Sequence, residues 1–347
     1  MNHSLLRRLT EAHGVPGQED AVRSIVVEEL KGLGDLSVDA MGNLICHIPG
    51  DGPKVMIAAH MDEIGFVVKH IEKDGFLRIH PLGGWDPRQM FSQRVIVQTE
   101  SGPLAGLLVF GTKPKHMLTD AEASKKPEVD GFFVDLGLSH EEVSKKVRKG
   151  DQVTMDGRYN QIGGLASCKA MDDRAGLYVM IEAVRAMRHH KCDIYAVATV
   201  QEEIGLRGAA ASGSSVQPDV VIALDITLAN DIPGISEVDQ VTKLGEGAAI
   251  KFLDSSLICH PKLFKHFVSI AENHGIKHQI EVLPFGGTDA GAIQRLNGGK
   301  PSITLSIPTR YVHTVNETVH PDDMDACVHL LARYLEEAHE GDYSYKV

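Results

Sequence analysis

The sequence has few of the residues on which several classes of protein depend. Its five cysteines are scattered along the chain, which argues against a disulfide framework and favours a reducing compartment. Aromatic residues make up only 5% of the chain, and tryptophan occurs once. Acidic residues outnumber basic ones by 47 to 35, so the formal net charge is −12 and no basic face for nucleic acid is indicated.

Long apolar runs and several catalytic motifs are absent as well. No apolar run approaches the roughly 20 residues that span a membrane, and the start, MNHSLLRRLTEAHG, is typical of a short charged helix without a signal-peptide core. We therefore expect a soluble, cytoplasmic protein with no nucleic-acid or membrane partner. A Gly-rich phosphate loop and a GxSxG motif are also missing, so a serine nucleophile has no support. The 18 histidines are many for 347 residues and favour metal binding.

Helix and buried-strand patterns alternate in the first and last parts of the chain. GQEDAVRSIVVEELKGLG predicts an amphipathic helix, and KVMIAAH predicts a strand buried on both faces. From about residue 67 short β patterns replace this alternation, with pairs joined at Asp74–Gly75 and Ser101–Gly102, and they end near Gly163–Gly164. We therefore predict an α/β domain formed by residues 1–66 and 165–347, with a mostly parallel sheet, interrupted by a small β domain at 67–164.

Acidic and histidine side chains follow several predicted strands, at the edge where open α/β sheets bind ligands. KVMIAAH ends in His60, with Asp62 two residues on, and YAVATVQEE ends in Glu202 and Glu203. VVIALD ends in Asp225. Residues that follow SITLSIP or begin the helix of KAMDDRAG complete the set: Arg310, His313, Asp172 and Asp173. Because successive strand residues point to opposite faces, we expect Glu202 and Glu203 to have different tasks.

Each of these residues also has an ordinary structural explanation. Asp172 or Asp173 can cap a helix, Asp225 can begin a turn, and a lone histidine after a strand is more often a hydrogen-bonded structural residue than a ligand. Their joint occurrence at one sheet edge changes the interpretation. Imidazoles and carboxylates together are ligands that zinc, cobalt and manganese take, so we predict a metal site there.

Six motifs stand in order along the chain: HMDEIGF, KAMDDRAG, QEEIGLRG, ALD, PFGGTDAGAIQ and PTRYVHT. In this order and spacing they resemble the glutamyl aminopeptidase family of dinuclear metallo-aminopeptidases, the family of the tetrahedral (TET) aminopeptidases. The resemblance covers essentially the whole chain. It implies a three-layer αβα catalytic domain, interrupted by a small β-barrel-like (PDZ-like) dimerisation domain. It also implies a metalloprotease that removes N-terminal residues from peptides with two divalent metal ions, zinc or cobalt, with manganese as an alternative.

The resemblance further implies a role for each residue of the predicted site. The metal ligands would be Asp172, bridging both metals, Glu203 and His313 on one metal, and His60 and Asp225 on the other. Asp172 would be joined to Asp173 by a cis peptide bond. Glu202 would act as the general base, and Asp62 would orient His60. The loop PFGGTDAG and the arginine before His313 supply candidates for substrate binding: Gly286, Gly287, Thr288, Asp289 and Arg310.

The resemblance also implies a homo-oligomer that acts on short peptides. Dimers would assemble into a tetrahedral dodecamer whose active sites face an inner chamber. Which N-terminal residue is preferred stays open, because family members divide among acidic, apolar and basic choices.

Two other enzymatic functions stay open, and so does a non-catalytic scaffold, which failure to bind any divalent ion would favour. A related metal-dependent deacylase or carboxypeptidase would use similar ligands, with Arg310 or Arg174 for the substrate carboxylate. An endoglucanase-like glycoside hydrolase would need paired carboxylates and aromatic platforms, and the only tryptophan, Trp85, lies in the predicted inserted domain.

Overall fold

The structure, a computed structural model, describes residues 1–345. Its helices are α1 (His3–Glu11), α2 (Asp20–Leu30), α3 (Asp120–Ala123), α4 (His140–Lys146), α5 (Met171–Ala186), α6 (Arg207–Val216), α7 (Pro261–Asn273), α8 (Asp289–Ile293) and α9 (Pro321–Glu337). Its strands are β1 (Asp35–Val38), β2 (Leu44–Ile48), β3 (Lys54–His60), β4 (Gly65–Ile71), β5 (Leu77–Leu82), β6 (Gln93–Thr99), β7 (Gly102–Phe110), β8 (Phe132–Asp135), β9 (Gln152–Met155), β10 (Asn160–Ile162), β11 (Leu165–Cys168), β12 (Asp193–Thr199), β13 (Val220–Leu228), β14 (Ala248–Leu253), β15 (His278–Val282), β16 (Ser302–Arg310) and β17 (Glu317–Val319). No helix in the described range is both long and apolar enough to cross a membrane.

Eleven strands form one large sheet. Its order is β1-β2-β12-β3-β13-β16-β17-β11-β10, and β14 and β15 extend it from β16. The central strands β12, β3, β13 and β16 run parallel, whereas short antiparallel strands continue the sheet on both sides. The predicted α/β class is confirmed. The sheet as a whole is mixed rather than mostly parallel, because most of the short flanking strands carry too few apolar residues for the sequence pattern to reveal them.

Helices cover both faces of this sheet. On β3, Val55, Ile57 and Ala59 contribute to one hydrophobic cluster, while Met56 and Ala58 contribute to another. Helices α1, α2, α5, α7 and α9 pack on the first side, and α6 and α8 pack on the second. A central strand covered on both faces must be apolar at every position, which explains the continuous run KVMIAAH. The arrangement is the predicted three-layer αβα architecture.

Strands β4 to β9 close into a separate six-stranded antiparallel barrel, in the order β4-β5-β8-β7-β6-β9. Its interior has a hydrophobic cluster of its own, which includes Phe66, Val97 and Phe132. Gly75 and Gly102, at the two hairpin turns, have φ angles of 91° and 112°, a conformation that favours glycine. The barrel strands span 65–155, and β10 and β11 already belong to the large sheet.

Helix α6 was not predicted from the sequence. Its segment RGAAASGSSV contains two glycines and three serines, which are weak helix formers. Packing explains this composition: a Cβ at Gly208 would lie 2.3 Å from the backbone oxygen of Val200, and one at Gly213 would lie 2.9 Å from Ile293. The helix therefore needs glycine to approach its neighbours closely, and it fixes the end of the loop that carries Glu202 and Glu203.

Candidate metal centre

The five predicted ligands lie together at the edge of the sheet where the parallel strands end. His60 is the last residue of β3, Asp225 lies within β13 and Asp172 opens α5, while Glu203 and His313 follow β12 and β16. Two groups of three residues each bring one potential ligand atom per residue to within 4.8 Å of one another. The first group is His60, Asp172 and Asp225, and the second is Asp172, Glu203 and His313. Asp172 is therefore shared by two groups of three potential ligands.

The two oxygens of the Asp172 carboxylate face the two histidines. Oδ1 lies 3.0 Å from His60 Nε2, and Oδ2 lies 3.4 Å from His313 Nε2. Glu203 Oε1 lies 3.6 Å from the same His313 nitrogen and is buried without a hydrogen-bond partner among residues 1–345. An unpaired buried carboxylate oxygen is costly, and a cation would satisfy it. The mixed imidazole and carboxylate set fits two divalent metal ions.

Asp62 holds the backbone that carries the two adjacent glutamates. Its carboxylate oxygens accept the N–H groups of Glu202 and Glu203 at 3.0 and 3.1 Å, and its side chain is fully buried. His60 Nδ1 lies 2.9 Å from the backbone oxygen of Asp62 but 3.6 Å from the carboxylate. The peptide oxygen of Asp62 is thus the direct partner of the His60 ring, and its carboxylate anchors the 202–203 segment.

Glu317, on β17, holds two ligands in a similar way. Its Oε2 accepts the N–H of Asp172 at 3.0 Å, and its Oε1 accepts the N–H of His313 at 2.6 Å. His313 has a φ of 60°, an unfavourable angle for a residue with a side chain, which this hydrogen bond helps to hold. Sequence reasoning missed Glu317, because a lone glutamate in TVNETVH carries no signal of its own.

Asp173 links the start of α5 to the end of β3. Its Oδ2 accepts the N–H of His60 at 3.2 Å, and its Oδ1 accepts the N–H of Gly176 at 2.9 Å. The Asp172–Asp173 peptide bond is cis, as the resemblance implied. Asp173 therefore holds the backbone of His60 against the first turn of α5.

Glu202 stands beside the ligand groups without belonging to either. Its Oε2 lies 3.9 Å from His60 Nε2, and its side chain lines a cavity next to the centre. Burial, with the negative charges of Asp225 and Glu203, raises the pKa of Glu202 well above its ordinary value, although His60 opposes the shift. A carboxylate of raised pKa next to a cavity is suited to accept and return a proton.

The pKa values of two proposed ligands, Asp225 and His313, are displaced from their ordinary values. Burial and the charge of Asp172 raise the pKa of Asp225 well above its ordinary value. Burial lowers the pKa of His313, but the neighbouring carboxylates of Asp172 and Glu203 prevail and raise it to about 12. Metal ligands must be ionised carboxylates and neutral imidazoles, so cation binding at this site releases protons.

The cavity beside Glu202 has a volume of about 570 Å³. Three of the predicted substrate-binding residues, Gly286, Gly287 and Thr288, line it, whereas Asp289 and Arg310 do not. Asp289 is buried and accepts a hydrogen bond from the hydroxyl group of Thr199 at 2.5 Å, and Arg310 binds both carboxylate oxygens of Asp231. Arg310 is the last residue of β16 and pairs with Asp231, whereas the chain turns at Tyr311 and His313, both with φ of 60°, before His313 reaches the centre.

Known proteins are similar to the chain along nearly its whole length. A family model described as M42 glutamyl aminopeptidase matches residues 42–330, and a second, AMPT, matches residues 2–25. A relative from Acetivibrio thermocellus, named a putative aminopeptidase, is 38% identical over 95% of this chain and 97% of its own length. The solved structure of an aminopeptidase from the archaeon Desulfurococcus kamchatkensis has a TM-score of 0.92 and 41% identity, and the match covers 96% of this chain and 94% of that one. The Pyrococcus horikoshii TET1 peptidase, which can assemble into a tetrahedron or a large octahedral shell, has a TM-score of 0.86 and 32% identity over 96% of this chain and 99% of its own.

Proposed function

The chain belongs to the M42 glutamyl aminopeptidase family and is a peptide-bond hydrolase of the metallo-aminopeptidase type, and within that activity we propose a role for each residue of the centre. Asp172 would serve both of two divalent ions. His60 and Asp225 would help to hold one ion, and Glu203 and His313 would help to hold the other. Zinc or cobalt is the proposed metal, and manganese is also compatible with these donors.

The reaction depends on a proton that Glu202 moves. Two bound cations would lower the pKa of a water molecule and polarise the scissile carbonyl group. Glu202 removes a proton from the attacking water and delivers it to the nitrogen of the departing peptide. Asp62 holds the peptide groups of Glu202 and Glu203, so the base keeps a fixed position relative to the ligand beside it.

The observation that carries this proposal is the pair of ligand groups that share Asp172, with the Glu202 carboxylate next to them. Two neighbouring substitutions separate the roles. Glu202→Gln is expected to keep two metal ions per subunit and to lose activity by about 100-fold or more, because it can no longer accept the proton. Glu203→Gln is expected to weaken metal binding instead, because the amide is a poor ligand.

Elemental analysis of dialysed protein and hydrolysis of aminoacyl anilides measure the two effects. The base role of Glu202 is wrong if its metal-loaded glutamine variant keeps full peptidase activity. The ligand role of Glu203 is wrong if its variant binds both metals with unchanged affinity.

The carboxypeptidase or deacylase alternative lacks its substrate-binding arginine. Arg310 Nε and Nη2 bind Asp231 at 2.7 and 2.6 Å. Arg174 is fully buried and donates to the backbone oxygens of Leu9 and Ala12. Both guanidinium groups are therefore engaged within the fold, and neither faces the cavity.

The glycoside hydrolase alternative gains no sugar platform from Trp85, the chain's one tryptophan. Trp85 stacks on Phe66 of the barrel, with ring centroids 4.6 Å apart, and donates a hydrogen bond to the backbone oxygen of Gly65. A tryptophan packed in this way supports the barrel instead of presenting a face to a sugar. No observation at the site favours glycoside hydrolysis.

The barrel, whose strands span 65–155, is the proposed dimerisation domain, inserted into the catalytic domain. On the barrel, Leu107 and Met117 are 51% and 60% exposed, which supports a contact surface. The TET1 relative can assemble into a tetrahedron or a large octahedral shell, and we extend such assembly to this chain as a dodecamer built from six dimers that admits short peptides. We also propose a cytoplasmic location, which the five free, buried cysteines support.

A further inference from the structure

The cavity beside the metal centre has a largely apolar wall. This inference rests on the proposed function, in which the cavity receives the side chain of the substrate's N-terminal residue. Its volume of about 570 Å³ is that of a small-ligand pocket. Six apolar residues line it: Leu206, Ile226, Leu228, Leu283, Phe285 and Val312. Such a wall favours an apolar side chain over a hydrated one.

One basic residue lies in this wall, and it is already paired. Among residues 1–345, Lys251 is the only lysine or arginine that lines the cavity. It stands on β14 directly opposite Glu281 of β15, and its ammonium group donates a hydrogen bond to Glu281 Oε1. Glu281 is fully buried and does not line the cavity, so it acts on a substrate only through Lys251. The hydroxyl group of Thr227 donates to the same Glu281 oxygen at 2.7 Å.

Asp254 supplies the third charge at this wall. Its Oδ2 lies 4.0 Å from the Lys251 ammonium, and its Oδ1 accepts the backbone N–H groups of Ser256 and Leu257. The charges of Lys251, Glu281 and Asp254 are +1, −1 and −1, which sum to −1. A substrate carboxylate is repelled by this sum. A substrate ammonium could approach Asp254, but it would lie beside the Lys251 ammonium and lose its water to the six apolar side chains of the wall.

We propose that the cavity selects an uncharged apolar N-terminal residue, such as leucine or methionine, and that Glu281 is the positioning residue that determines this selection. Glu281 neutralises Lys251 and holds its ammonium group against the neighbouring strand. Without that partner, the ammonium group becomes available to an acidic substrate side chain.

The substitution Glu281→Gln tests this directly, because it removes the charge and keeps the shape and the acceptor for Thr227. Wild-type enzyme, loaded with metal, is expected to hydrolyse the leucyl anilide at least about tenfold more efficiently than the glutamyl and lysyl anilides. In Glu281→Gln, the glutamyl-to-leucyl ratio of kcat/KM is expected to rise about tenfold, which corresponds to ~1.4 kcal/mol. The double variant Lys251→Met/Glu281→Gln lacks both charges and is expected to keep the wild-type ratio.

Calorimetric binding of free leucine and free glutamate gives the same comparison without turnover. A purely structural role of Glu281 would lower kcat/KM for all three anilides by one common factor, and an unchanged ratio would overturn the inference. A wild-type preference for the glutamyl or lysyl anilide would also overturn it. Turnover of none of the three would contradict the proposed function instead, and the binding comparison would then decide the selectivity.

Discussion

The anchoring of Glu202 and Glu203 by Asp62 leads to a specific prediction for Asp62→Asn. The two oxygens of Asp62 each accept one backbone N–H, at 3.0 and 3.1 Å, in a fully buried position. Asparagine has the same size but keeps a single carbonyl oxygen. One of the two N–H groups would then face an NH₂ group, so one hydrogen bond is lost and two donors oppose each other.

The size of the effect follows from that lost hydrogen bond. A hydrogen bond to a charged group contributes about 1.5–3 kcal/mol, and a buried donor left without an acceptor costs about 1–3 kcal/mol. Both ranges include the cost of the same unmet N–H group, so they cannot be added in full. We therefore expect Asp62→Asn to lower the free energy of unfolding by about 2–4 kcal/mol. Displacement of the base should lower kcat by about 10–100-fold, the usual effect of removing a group that holds a metal ligand.

Urea unfolding, steady-state kinetics and metal content per subunit provide the measurements. Glu202→Gln is the matched control, because it removes the base and leaves both Asp62 hydrogen bonds in place, so it should lose activity but not stability. Wild-type values of kcat and unfolding free energy in Asp62→Asn would refute the anchoring role. A loss confined to metal affinity would instead support the role that the resemblance implied for Asp62, which is to orient His60.

Two further predictions concern pH dependence and assembly. Burial raises the pKa of Glu19 from its ordinary value of 4.5 to about 7. Between these values the folded state holds a proton that the unfolded state releases, so stability falls as pH rises through this window. Glu19→Gln keeps an acceptor for the N–H groups of Gly17 and Gln201. In urea unfolding it should be more stable than wild type at pH 8, by up to about 3 kcal/mol, and equal to wild type near pH 4. A stability difference that did not change with pH would contradict the shift of the Glu19 pKa. Native mass spectrometry of metal-loaded protein should show dodecamers, and a solely monomeric protein would rule out the proposed assembly.

The clustering of the proposed ligands could be predicted because several of them have a local signal in the chain. His60 ends a continuous apolar run, Glu203 follows another, and parallel strands bring their ends to one edge of the sheet. The helix start at Asp172 is equally visible. His313 and Arg310 show the limit of this reasoning. Both come at the end of β16, but only the structure shows that the chain turns at Tyr311 and His313, with φ angles of 60°, and that Arg310 pairs with Asp231.

The partners of the ligands could not be predicted because they depend on contacts between distant segments. Glu317 and Asp172 are 145 residues apart, and Asp62 and Glu202 are 140 residues apart. The same applies to Lys251, which looks like an ordinary lysine in a short strand. Only the pairing of β14 with β15 places it opposite Glu281 and next to the cavity.

Three acids that belong to neither ligand group explain how the centre keeps its shape. Asp62, Asp173 and Glu317 each accept two backbone N–H groups, and together these groups come from His60, Asp172, Gly176, Glu202, Glu203 and His313. The fifth proposed ligand, Asp225, lies within β13, where it pairs in register with Ser306 of β16. Every ligand is therefore fixed by the fold itself. The fold thereby concentrates buried acids at one point, an arrangement that repels itself until cations bind, so metal affinity and folding stability are coupled in this protein.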